Sequence, residues 1–159
     1  MKTLWTTLLI AVVLSACAGQ PAIEGVEEFN PGGAGDHRDG KIEYQQLPPV
    51  GGAHNARWQG CGVYTQPVML EQAVHSLEHG AVWISYKPDL PPTEVAQLTK
   101  LVQTQVILAP YPAGTLSKPI EVVSWGRRLR LDRADDPRLE QFILRYANDP
   151  KAPEPGQAC

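Results

Sequence analysis

At 159 residues and 43% hydrophobic, the chain is long enough for one domain with a buried core. Its charged fraction of 19% and formal net charge of −3 exclude the basic signature of a nucleic-acid binder. Fifteen prolines and 14 glycines call for a turn-rich domain with ordered loops, and no internal repeat is visible.

In chain order, the first segment reads as an export signal. Lys2 gives a short positive start, and residues 4–14 are an apolar run too short to span a bilayer as a stable helix. The run ends in Leu14-Ser15-Ala16-Cys17, which resembles a bacterial lipobox, in which the cysteine is acylated and becomes the mature N-terminus. Residues 1–16 are therefore expected to be a lipoprotein signal peptide and Cys17 the site of lipidation. The protein would then be held at the bacterial cell envelope, outside the cytoplasm, with the membrane as its partner through the lipid. An ordinary secretory signal cleaved near the same alanine is the alternative.

Export changes the meaning of the other cysteines. Cys61 and Cys159 are an even number in an oxidising compartment, and a Cys61–Cys159 disulfide is expected. Closing so long a loop would contribute on the order of 4–5 kcal/mol in the chain-entropy account. The alternative keeps Cys61 as a thiolate ligand for a soft ion such as Cu(I).

Residues 17–40 are small, polar and Gly-rich and read as a flexible tether, with His37 near its end. Residues 41–159 read as one domain. Ile42–Gln46 is expected as a first short strand. Residues 47–53, with two prolines and two glycines, make an ordered loop that delivers His54. The next expected helix carries Leu70, Ala73, Val74 and Leu77 on one side, with His75 and His79 on roughly the other. Gly80 is its expected stop.

Residues 81–86 are apolar on both faces and read as a buried strand. Thr93–Gln103 reads as an amphipathic helix with Val95, Leu98, Leu101 and Val102 on one face. Val106–Ala109 reads as a second buried strand, and Ile120–Leu131 as a longer strand or bent hairpin arm. Asp136 followed by Pro137 opens a last helix lined by Leu139, Phe142, Ile143 and Tyr146. A Pro/Gly-rich tail follows. The fold class is thus α+β: one small domain, a mixed or antiparallel sheet, and two to three helices packed on it.

The chemistry concentrates on the histidines. Residues i and i+4 of a helix lie one turn apart on one face, so His75 and His79 can share one divalent ion. His54, from the rigid loop, would be the third ligand. Three neutral imidazoles suit zinc or copper(II). His37 is a lesser fourth possibility, and Met69 stands too alone for a methionine-rich copper carrier.

Glu78 admits three readings: a carboxylate that orients an imidazole, a cap or cation partner, or a general base. The last follows from His75-Ser76-Leu77-Glu78-His79, which matches the H-x-x-E-H pattern of inverted zinc peptidases. That match is short, and in those enzymes the motif lies within a long helix. No catalytic residue is assigned, and no nucleophile elbow, phosphate loop or dinucleotide fingerprint is visible.

Several blocks resemble a known family. They are residues 48–54, Trp58, Gly62-Val63-Tyr64 and His75-Ser76-Leu77-Glu78-His79-Gly80, then Pro110-Tyr111, Ser124-Trp125-Gly126-Arg127 and Pro153-Glu154-Pro155. Together they resemble the bacterial domain-of-unknown-function family 3105 over roughly residues 36–156. The L-E-H-G core with its upstream histidine is also similar to the lumenal region of a p53-inducible tumour protein of animals. The resemblance implies one domain and gives weight to the His54, His75 and His79 blocks, but supplies no reaction.

The leading expectation is a lipid-anchored envelope domain that binds copper or zinc through His54, His75 and His79, holding the ion or passing it to a metal-handling protein. The alternative is a structural or partner-binding envelope domain whose histidines form a hydrogen-bond network. A metal-dependent hydrolase with Glu78 as base ranks third.

Overall fold

A computed structural model describes residues 21–112 and 114–157. The expected signal peptide, the lipidated Cys17 and the distal partner Cys159 of the expected disulfide lie outside the described residues. No described helix is long and apolar enough to cross a membrane.

The described residues form a six-stranded mixed sheet with three helices. The strands are β1 (Glu27–Glu28), β2 (Gly62–Val63), β3 (Val82–Tyr86), β4 (Val106–Pro110), β5 (Ile120–Ser124) and β6 (Arg127–Leu131). The helices are α1 (Leu70–Glu78), α2 (Pro92–Lys100) and α3 (Pro137–Tyr146). The strand order is β1-β6-β5-β3-β4-β2. β2, β3 and β4 run parallel, with α2 as the crossover between β3 and β4; the remaining pairs are antiparallel.

The continuous apolar runs of β3 and β4 follow from cover on both faces. Val82, Ile84, Val106 and Leu108 point to one side, where they meet Leu98 of α2 and Leu139, Phe142 and Ile143 of α3. Trp83 and Ile107 point to the other, where they meet Ala73 and Leu77 of α1. The expected arm Ile120–Leu131 is the hairpin β5–β6, turned at Trp125-Gly126 with Gly126 at φ +72°. Asp136 caps α3 as expected, its side chain accepting from the Arg138 N–H.

Three expectations are corrected. Residues 21–40 are not a loose tether: β1 pairs with β6, and Ile23 is buried in the main core. The pairing is held by charge, because Glu27 contacts both Arg128 and Arg130 of β6. Ile42–Gln46 is not a strand. The N–H of Ile42 bonds instead to the carboxylate of Glu71 on α1, so this backbone is committed to a helix rather than to a sheet edge. The edge beside β4 is taken by β2. The second helix also ends earlier than expected, with Leu101 as its cap.

Candidate functional site

α1 is buried on nearly its whole circumference. Ala73 and Leu77 are fully buried toward the sheet, Val74 is fully buried as well, and His75, Ser76, Glu78 and His79 are buried beneath loops. Its end has the hydrogen bonding of a Schellman turn: Gly80 N–H to Leu77 O at 3.0 Å and Ala81 N–H to Ser76 O at 2.9 Å. Gly80 sits at φ +93°, a conformation that favours glycine. The turn fixes His79 as the cap residue, one helical turn beyond His75.

Two loops are folded over this helix. The Pro/Gly loop brings His54 in, and residues 33–38 lie alongside it. His37 and His54 form a parallel bridge, with Arg38 N–H to His54 O at 2.7 Å and His54 N–H to Asp36 O at 3.0 Å. Gly33 is needed for the approach, because a Cβ there would lie 2.5 Å from the backbone of Gly52 and Ala53. The Ser76 hydroxyl clamps the following turn, accepting from Gln59 N–H and donating to Gln59 O.

The result is a cluster of imidazoles around one carboxylate. His37, His54, His75 and Glu78 offer ligating atoms that all lie within 4.8 Å of one another. Ring centroids are 5.0 Å apart for His37–His54, 4.9 Å for His37–His75 and 4.8 Å for His54–His75. His37 is the exposed member. His79 adjoins the group at His75, with the two Nε2 atoms 3.1 Å apart. Trp58 covers His75 and His79 from outside, its ring 5.9 and 5.6 Å from theirs, and Trp125 stands edge-on to His54.

The hydrogen bonds fix how two rings present themselves. Nδ1 of His54 lies 2.8 Å from Gly52 O, and Nδ1 of His75 lies 2.7 Å from Asn55 O. A carbonyl only accepts, so each Nδ1 carries the proton. In the neutral rings, both Nε2 atoms then turn a lone pair inward. This is how metal-ligating imidazoles are commonly oriented.

Glu78 is fully buried. Its Oε1 accepts from the Gly35 N–H at 2.7 Å, and its Oε2 lies 2.8 Å from Nε2 of His54. The latter approach is a charge contact without a well-directed hydrogen bond, since neither atom has a hydrogen-bond partner. Two buried acceptors facing each other need a positive charge, supplied by a proton or by a cation.

Burial is the main cause holding His75 and His79 below the ordinary histidine pKa. For His75 the Asn55 carbonyl opposes the shift, and for His79 the neighbouring His75 adds to it. Both rings are thereby kept neutral and able to ligate near neutral pH.

The expected set His54, His75 and His79 thus occupies one continuous cluster with His37, the lesser fourth candidate of the sequence. The sequence carries no local signal of the proximity of His37 to the Pro/Gly loop, because it lies 17 positions before His54. The group contains no cysteine; Cys61 is half-buried beside β2, packed against the core under α1. Glu154, marked in the sequence only as part of the Pro153-Glu154-Pro155 block, has its carboxylate 3.7 Å from Nε2 of His79.

No curated protein and no solved structure matches the chain. The family described as protein of unknown function (DUF3105) matches residues 37–159, from the first histidine of the cluster through the tail that carries Glu154. That span covers most of the chain, which belongs to this family.

Proposed function

We propose that this protein binds one transition-metal ion, zinc or copper(II), through His37, His54 and His75 with Glu78, and that it holds or passes the ion at the cell envelope. The observation that carries this reading is the pair of Nδ1–H to carbonyl bonds at His54 and His75, which leaves two Nε2 lone pairs for ligation, that of His54 2.8 Å from the buried Glu78 carboxylate and that of His75 3.1 Å from Nε2 of His79. An imidazole and carboxylate set with no thiolate suits zinc or copper(II) better than a soft ion. The envelope location rests on the Leu14-Ser15-Ala16-Cys17 motif, and lipid anchoring through Cys17 belongs to the same proposal. So does the Cys61–Cys159 disulfide.

The test is the metal content of untagged protein by elemental mass spectrometry, beside His54→Ala and the His75→Ala/His79→Ala double variant. About one zinc or copper per chain, lost in the variants, is expected. No metal in the wild type, and none taken up on addition, would overturn the reading.

The 2.8 Å contact between His54 and Glu78 favours a second reading, in which a protonated imidazole and a carboxylate lock loop to helix without any ion. The same geometry argues against Glu78 as general base. One of its oxygens accepts from Gly35 and the other faces His54, so neither is free to activate water.

A further inference from the structure

The C-terminal segment is docked over the end of α1 by two backbone bonds, Asn148 N–H to Gly80 O at 2.8 Å and Glu154 N–H to Glu78 O at 3.0 Å. These hold Glu154 above His79. The Glu154 side chain is half exposed, whereas His79 is almost fully buried, so the pair joins solvent to the interior. His79 is poised to take a ligand. In the neutral ring, Nε2 of His75 is a lone pair, so the 3.1 Å contact makes His79 the donor through its own Nε2. Its Nδ1 is buried with no hydrogen-bond partner, so moving the ring proton from Nε2 to Nδ1 breaks no other bond and frees Nε2, the atom that faces His75 and Glu154, to take a ligand.

An Nε2–Nε2 distance of 3.1 Å is also close to the edge of about 3.3 Å between two ligands of a tetrahedral ion with metal–nitrogen bonds near 2.0–2.1 Å. His75 and His79 therefore already stand almost as ligands of a common ion would, with the Glu154 carboxylate next to them.

We infer that His79 and Glu154 form a second, outer station for the transition-metal ion, and that the ion reaches the His37/His54/His75/Glu78 set by exchange through His75. This rests on the metal-binding reading above. His75 has a single lone pair, at Nε2, which lies 3.1 Å from Nε2 of His79 on one side and within 4.8 Å of the other ligating atoms on the other, so it binds at one station at a time. The ion is handed from one to the other with little movement of the ring. Trp58, half exposed and over both rings, flanks the route and would report the passage.

The test follows tryptophan fluorescence of the full chain in stopped flow, with Cu(II) alone for capture and excess EDTA for release. Glu154→Gln keeps size and removes charge at a half-exposed position; His79→Ala removes the outer imidazole. Each is expected to slow both capture and release about tenfold or more while leaving the equilibrium affinity within about threefold. His37→Ala is the control for the other exposed side, and is expected to weaken affinity without slowing capture.

Three results would overturn the inference. Unchanged rates in both outer variants would show no station there. Lost affinity with an unchanged capture rate would make His79 and Glu154 ordinary ligands of a single site. Slowed capture in His37→Ala alone would put the route on the other side. If the wild type binds Cu(II) and His54→Ala does not, metal binding stands whichever of these is found; if the wild type binds neither Cu(II) nor Zn(II), both readings fall.

Discussion

The two faces of the sheet share the same strands but hold their helices by different means. On one face, α2 and α3 rest on a dry cluster in which Leu98, Leu139 and Phe142 are fully buried against Ile84, Val106, Leu108, Val122 and Leu129. On the other, α1 sets Ala73 and Leu77, with half-buried Leu70 beside them, into the apolar layer with Trp83 and Ile107. The rest of its surface is tied to loops by directed polar bonds from Glu71, Ser76 and Glu78. Apolar packing is strong and indifferent to direction, while hydrogen bonds hold groups at set angles. The first face stabilises the fold, and the second orients the imidazoles.

That contrast can be broken first on the dry face. Phe142→Ala should lower the free energy of unfolding by about 3–5 kcal/mol in a denaturant titration. Metal uptake by the fraction still folded should not change, because no cluster residue touches that core. Glu78→Ala should cost about 3 kcal/mol, since it strands the Gly35 N–H and removes the charge opposite His54. Unlike the first variant, it should also abolish uptake. If both variants lose uptake in proportion to stability, the two faces do not divide the work in this way.

Gly80→Ala sharpens the comparison at the junction of helix and tail. A Cβ there meets a left-handed backbone and lies 3.3 Å from Cα of Asn148, so a loss of about 1–3 kcal/mol is expected in thermal or chemical unfolding. On the dry side, Asp136→Ala removes the cap of α3 and should cost about 1 kcal/mol, with no effect on metal.

The smallest effect is a slope with pH. His75 and His79 have folded pKa values below the unfolded 6.5. The unfolded chain therefore binds protons first as pH falls. Their contribution to stability is fully present above 6.5 and is lost as pH falls from there through the lowered folded values. The His75→Ala/His79→Ala variant should lose that part of the slope in denaturant titrations at a series of pH values. An unchanged slope would mean that other groups carry it.

Much of the dry face was legible in the sequence, because periodicity reports burial directly. The face of Val95, Leu98, Leu101 and Val102, the double-sided apolar runs of β3 and β4, and the Asp136-Pro137 start of α3 each carry a local signal. The imidazole face was legible at His75 and His79, through helical spacing, and at His54, through the Pro/Gly loop that delivers it. His37 and Glu154 come from irregular segments at opposite ends of the domain, and their positions depend on tertiary bonds to Glu78 and His54 that leave no periodic trace. The same reason explains the corrections to residues 21–40 and to Ile42–Gln46. Residues 21–40 are polar and Gly-rich as linkers are, yet their backbone is held by charges on β6 and a carboxylate on α1.

The thinness of α1's own support has a consequence in time. The helix has nine residues and no side-chain cap at its start, and isolated helices shorter than about 12–15 residues are marginal in water. It needs Trp83 and Ile107 beneath it, and Ile107 belongs to a strand made long after the histidines. During synthesis the imidazoles therefore emerge early and meet late. A half-made chain presents scattered histidines with no common geometry, and only the finished domain gathers them. The cluster is in this way a certificate of completion: it forms on molecules that have already closed their core.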